Sequence, residues 1–233
     1  MKRKVRIHDA IYLKENRYKQ PKESFKFFFN ILKKKINSNK QYDVLDIGCA
    51  NGELIYSLEK KFKNFHLTGL DIRKDLILKA KKNVSNKVKF IHTNIAHPRK
   101  IDKKFDIIIC CGVISIFDDY KIVLKNIKKL LKKNGEIYLM SLFNKYDYDV
   151  FVNYRDLNKN KNLFQSGWNI TSISSIKKFF KKDKIEVFKF NIKKNIAPKK
   201  NDLIRGWTIR LNNKRYFTNA LSLIQDQYLI RIF

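Results

Sequence analysis

The 233 residues are 44% hydrophobic, which excludes a disordered chain and suffices for the core of an α/β unit. No apolar run approaches the ~20 residues that span a bilayer, and Met1-Lys2-Arg3-Lys4 lacks the apolar segment that would make it a secretory signal. The net charge of +31 leaves two readings: a surface for nucleic acid or anionic membrane, or a solvated lysine coat, because Lys outnumbers Arg 42 to 10 and Lys, Ile and Asn, all with A/T-rich codons, supply 95 residues.

Residues 1–20 are polar and aromatic, with His8, Tyr12, Arg17 and Tyr18. Pro21 suits a first helical turn. Phe25, Phe28, Phe29, Leu32 and Ile36 recur at helical spacing, so an amphipathic helix is expected over about 22–37. Strands and helices then alternate: a strand at 43–47, a helix at 52–61, a strand at 65–71, a helix at 74–84 and a strand at 88–92. Residues 105–111 are apolar almost throughout, as in a strand covered on both faces. A helix over about 119–132 is expected to stop at Asn134-Gly135, before a fifth strand at 136–142. This rhythm predicts a parallel sheet with right-handed crossovers.

After Leu142 the rhythm breaks. Residues 143–170 are rich in Asn, Tyr, Asp and Lys and lack periodicity, the character of a functional loop. A helix at about 173–181 and a strand at 184–192 follow. Trp207–Leu211 and Arg215–Thr218 flank Asn212-Asn213-Lys214, a hairpin turn signal, and 228–233 reads as a last strand.

The densest chemical signal is Val44-Leu45-Asp46-Ile47-Gly48-Cys49-Ala50-Asn51-Gly52, a buried strand, a tight turn of small residues and a helix start. A dinucleotide site would want a third small residue where Glu53 stands, and a carboxylate there repels a pyrophosphate. Asp71 ends the second strand 25 residues after Asp46, Thr93-Asn94-Ile95 follows the third, and Cys110-Cys111-Gly112 ends the fourth. These four strand-end elements, in this order, resemble the class I S-adenosylmethionine (SAM)-dependent methyltransferases, with Ala50 in place of the middle glycine of their G-x-G-x-G.

The resemblance covers about residues 40–142. It implies a Rossmann-like seven-stranded sheet, mostly parallel with an antiparallel C-terminal strand and helices on both faces. It also implies SAM as cofactor, with S-adenosylhomocysteine as product. Asp46, Gly48, Cys49, Ala50, Asn51 and Gly52 would form the cofactor turn. Asp71 would take the ribose hydroxyls, Ile72 the adenine face, and Asn94 with the Ile95 N–H the adenine edge; Cys111 and Gly112 would line the methyl-transfer point. Residues 1–233 are expected to form a single domain: a cap segment and helix at 1–37, a SAM-binding half at 40–142, an acceptor loop at 143–170 and sheet completion at 171–233.

The acceptor is less legible. Ile116 stands where many small-molecule members carry a base histidine, the (D/N/S)-P-P-(Y/F/W) signature of amino-methylating nucleic-acid enzymes is absent, and so is a Pro-Cys pair. Tyr12, Arg17, Tyr18, Tyr146, Tyr148, Arg155 and Trp168, with Asp147 and Asp149, are the candidate acceptor residues, aromatics and carboxylates that suit a sugar or small polar molecule. His8, His97, Arg205 and Trp207 stay ambiguous. The block Asp202–Thr208 is distinctive and unassigned. Three scattered cysteines and four histidines offer no metal-ligand spacing, and free thiols point to a cytoplasmic protein.

The leading expectation is therefore methyl transfer, by O-methylation, to a small polar molecule or carbohydrate. The alternatives are an RNA or protein methyltransferase using the basic charge, and a SAM-binding relative without activity.

Overall fold

Alternate residues along the apolar segments are claimed by two different cores, and this is what makes them strands. The computed structural model describes residues 3–5, 11–99, 101–157, 164–200 and 202–233; His8 lies outside them. The chain opens with β1 (Arg3–Val5), α1 (Ile11–Lys14) and α2 (Glu23–Lys35). The alternating part comprises β2 (Tyr42–Ile47), α3 (Glu53–Lys61), β3 (Phe65–Asp71), α4 (Lys74–Asn83), β4 (Lys89–His92), β5 (Phe105–Cys111), α5 (Tyr120–Leu130) and β6 (Leu131–Asn144). Then come β7 (Asn153–Arg155), β8 (Phe164–Ser166), β9 (Thr171–Ser172), α6 (Ile173–Phe179), β10 (Ile185–Phe190), β11 (Trp207–Leu211), β12 (Lys214–Thr218) and β13 (Gln227–Ile232).

The main sheet runs β10-β13-β6-β5-β2-β3-β4, with β13 antiparallel to both neighbours and two-residue β9 added beside β6. Ile107 and Ile109 of β5 join Phe28, Leu32, Ile55 and Leu58 of α2 and α3 on one face; Ile108 and Cys110 join Val123, Leu124, Ile127 and Ile176 of α5 and α6 on the other. A strand apolar at every position is the consequence. The seven-stranded, mostly parallel sheet with an antiparallel last strand is the expected one.

Two readings need correction. The α5 helix ends at Leu130, and β6 starts at Leu131. Asn134, at φ 65°, lies inside β6 where the register against β5 slips between Phe105 and Ile107. Asn134-Gly135 thus marks a bulge rather than a helix stop, because both signals ask for the same left-handed backbone. Among the described residues, no helix joins β4 to β5. Two elements stand apart from the main sheet. The loop after β6 is not structureless: β7 and β8 form a small sheet with β1, parallel β1–β8 and antiparallel β7–β8. The hairpin β11–β12 turns through Asn212 and Asn213, at φ 45° and 62°, the two positive-φ positions that a two-residue hairpin loop requires.

Candidate functional site

All five parallel strands end at one pole, and a cavity of about 450 Å³ opens there beside the ends of β2, β3, β4 and β5. A ligand site outside the carboxyl ends of such a sheet follows from the topology. The turn after β2 is built by backbone conformations that few residues accept: Gly48, Ala50 and Gly52 have φ of 73°, 47° and 83°. A Cβ on Gly48 would come within 2.3 Å of Val113 Cγ2, so the cavity wall admits only glycine there. Gly52 lies against Ala80 of α4, 3.0 Å from a would-be Cβ, which seats α4 against the start of α3.

Asp71 ends β3 at the cavity wall and is held on both sides. The Ala50 N–H donates to one carboxylate oxygen (2.8 Å), and the Arg73 N–H donates to the other (2.8 Å). Each oxygen keeps lone-pair capacity for a further donor. Asp46, 2% exposed at the end of β2, keeps Oδ2 buried with no hydrogen-bond partner. Burial, reinforced by the Asp71 charge, pushes its carboxyl well above the usual range. A buried carboxylate with an orphan oxygen is a site waiting for a donor or a cation.

Of the expected cofactor residues, Gly48, Asp71, Ile72, Asn94 and Ile95 meet in the cavity wall. Asn94 Oδ1 accepts the Ala96 N–H (2.9 Å), which shapes the turn after β4. Asp46, Cys49, Ala50, Asn51, Gly52, Cys111 and Gly112 are not in that wall. Asn51 turns its amide away, donating to the carbonyls of Tyr12 (3.0 Å) and Glu15 (3.3 Å). Cys110 and Cys111 point to opposite faces, and burial with the nearby Asp46 pushes both thiols up; neither is a ready nucleophile. Ile116 is cavity wall, as are His97 and Asp118.

The N-terminal segment is fastened to the turn after β2. The Tyr18 hydroxyl donates to the Asn51 carbonyl (2.7 Å), and burial, then the Glu53 charge, pushes it up to about 12. The Arg17 N–H donates to Glu53 (2.8 Å), and Lys79 donates to the carbonyls of Leu13 and Glu15 (both 2.6 Å), closing the end of α1. Arg205 explains part of the block that sequence left unassigned: it pairs with Glu15 (2.6 Å) and lies over the Tyr12 ring at 5.2 Å.

The segment after β6 is fastened to the far wall. Buried Asn169, which the sequence did not single out, donates to the Phe117 carbonyl and to Asp118 (both 3.0 Å) and accepts from the Val152 N–H (2.8 Å). Asp149 accepts from the Ser172 N–H (2.6 Å), the Ser175 hydroxyl (3.0 Å) and the Tyr120 hydroxyl (3.1 Å), which makes it an anchor of this segment. Tyr146 and Tyr148 are 60% and 73% exposed, Arg155 lies over Phe164 at 5.5 Å, and Trp168 adopts φ 64° beside Asn169. The structure therefore does not bring these acceptor candidates together in one pocket. No group of three or more metal-ligating side chains occurs among the described residues.

A model of a methyltransferase-domain family matches residues 38–201. The tRNA U34 carboxymethyltransferase of Nautilia profundicola is 29% identical over 166 residues, 70% of this chain and 53% of that protein. The malonyl-[acyl-carrier protein] O-methyltransferase of Bacillus cereus is 23% identical over 157 residues, 67% of this chain and 56% of that protein. The chain thus spans about half the length of these curated relatives. The PH0226 protein of Pyrococcus horikoshii superposes over 97% of this chain and 98% of its own, with a TM-score of 0.58 at 18% identity. Solved structures of the same fold carry S-adenosylhomocysteine.

Proposed function

We propose, from the premise that this chain belongs to the class I SAM-dependent methyltransferase family, that it methylates a small polar acceptor, by transfer to oxygen. The observation that carries this reading is the electrostatics of the cleft. The loops around it, residues 46–53, 71–76, 92–99, 111–121 and 142–157, hold six basic and nine acidic residues, and the adjoining segment 12–22 holds four basic and one acidic, ten of each sign in a chain with an excess of 31 positive charges. A phosphodiester acceptor would meet none of the chain's excess positive charge at the one place where it must react. A neutral or weakly polar acceptor needs none.

The residues present fit the cofactor. The orphan oxygen of Asp46 suits the cationic amino-acid end, Asp71 the ribose hydroxyls, and Ile72, Asn94 and Ile95 the adenine, with Cys49 to Gly52 shaping the turn beneath. Bound SAM supplies an electrophilic methyl group on a sulfonium. This chain supplies orientation: two backbone donors fix Asp71, so binding spends little on ordering it. The acceptor would approach from the side of Cys111 and Gly112. The Lys22 ammonium lies over the Tyr12 ring at 5.2 Å on that side and pulls the Cys111 thiol down against its burial. The acceptor oxygen would take that methyl group, and its hydroxyl proton would leave to solvent or a base.

The likeness to a tRNA-modifying relative favours one second reading, an RNA acceptor. A methyl-transfer screen with labelled SAM over polar hydroxy compounds, carbohydrates and RNA separates the two. Label on a small acceptor is expected, and label on RNA alone would overturn the reading.

A further inference from the structure

The lysines are scattered in sequence, and the fold sorts them. The helices α2 to α6 all run from the cleft pole to the pole where the parallel strands begin. The last turn of each carries lysines: Lys33–Lys35, Lys60–Lys61, Lys81–Lys82, Lys128–Lys129 and Lys177–Lys178. Positive charge at a helix C-terminus is favoured by the helix dipole, but the loops that follow add more, including Lys40, Lys63, Lys87, Lys104, Lys133 and Lys182. Together, residues 33–43, 59–65, 81–89, 101–106, 128–136, 177–186 and 231–233 carry 22 lysines and Arg231 against seven acidic residues. That is about half of the whole excess charge on less than a quarter of the chain.

The acidic residues there are largely consumed. Lys103 and Lys132 pair with Asp43 (2.5 and 2.8 Å), Lys132 with Asp106 (2.8 Å), Lys128 with Asp183 (2.9 Å), and Lys35 and Arg231 with Glu186 (2.8 and 3.0 Å). Most of the remaining lysines are exposed. The loop 36–41 adds exposed Asn37, Ser38 and Asn39, tied to the next loop by Asn64, which donates to the Lys40 carbonyl (2.6 Å). Exposed apolar side chains such as Tyr146, Tyr148, Phe151 and Leu157 follow β6 at the cleft pole, whereas Phe233 at this pole lies under the Arg231 guanidinium at 3.9 Å. A surface with dense charge, amide hydrogen-bonding groups and no apolar wedge suits a phosphodiester backbone better than a bilayer.

We propose that this lysine pole is a nucleic-acid docking surface, separate from the acceptor cleft. Six-residue β2 spans the distance between the poles, about 20 Å at the rise of a strand. The phosphates bound there therefore act as a tether, held away from the reacting centre. The proposal stands whether or not the acceptor reading above does.

The test measures binding of a labelled single-stranded RNA and a DNA of the same sequence as salt is raised. It compares the intact chain with Lys63→Gln/Lys104→Gln/Lys133→Gln/Lys182→Gln and with an equal-charge control, Lys125→Gln/Lys193→Gln/Lys199→Gln/Lys214→Gln. The expected result is a tenfold or greater loss in the pole variant, a salt slope shallower by about two to three, and a change within about twofold in the control. SAM affinity, read in parallel, should be the same in all three, which shows that each is folded. The RNA-to-DNA ratio in the intact chain then names the source of the backbone. Equal losses in both variants would overturn the proposal, as would no binding by the intact chain at low salt. Tighter binding to phosphatidylserine-containing vesicles or to polyglutamate than to either nucleic acid would also overturn it.

Discussion

Asp46 is the residue at which stability and function pull apart. Its folded-state pKa lies above the ordinary carboxylate value of about 3.9. Its favourable contribution is therefore fully present below that value and is lost as pH rises through the folded pKa. Asp46→Asn should raise the melting temperature of the cofactor-free protein at pH 7, by about 2–4 °C for each kcal/mol regained, and the gain should shrink toward pH 4. The same change should weaken SAM binding; a variant that melts lower at pH 7 would contradict the assignment. Ala50 poses a smaller conflict, a non-glycine residue at φ 47° in the cofactor turn. Ala50→Gly should add up to about 1 kcal/mol in urea denaturation, and a loss of that size would contradict it. The motif from Asp46 to Gly52 and Asp71 were legible in sequence because strand ends and turns leave local signatures. Glu15 with Arg205 was not, because the two are 190 residues apart and no local pattern joins them.

Two polar clamps hold the elements that frame the cleft. Asp149 binds β9 and α6 to α5 through three hydrogen bonds. Asp149→Ala should cost about 1.5–3 kcal/mol, the scale of bonds to a charged acceptor, and should lower the rate of methyl transfer with SAM affinity unchanged. Equal loss of both would place Asp149 in the cofactor site instead. Arg231, 7% exposed on β13, donates twice to Glu136 on β6 (2.9 and 2.7 Å) and once to Glu186 on β10 (3.0 Å), fixing the antiparallel edge. Arg231→Met leaves the half-buried Glu136 with the Tyr138 hydroxyl and Glu186 with Lys35, and should cost about 1.5–3 kcal/mol in urea denaturation. The strands themselves were readable from apolar runs. The β6 bulge was misread because Asn-Gly asks for a left-handed backbone in a helix stop and a strand bulge alike, and the register against β5 decides which. The small sheet β1-β8-β7 was invisible because three-residue strands carry too little periodicity to signal.

At the scale of the molecule, the chain is electrically divided. Every helix from α2 to α6 descends from a cleft rim without net charge to a lysine-rich base. Composition alone left the +31 between a nucleic-acid or membrane surface and a solvated lysine coat, since the lysines recur from end to end. The topology turns that even spacing into one pole, because each return of the chain to the strand starts brings its own lysines. The cleft that remains is framed by the elements that end at the opposite pole, and Asp71 is held there on both carboxylate oxygens by the Ala50 and Arg73 N–H groups. Calorimetric titration of SAM into the intact chain and into Asp71→Ala tests this account most directly. One site per chain is expected, with affinity about 1–3 kcal/mol weaker in the variant. No binding to the intact chain, or equal binding to both, would contradict it.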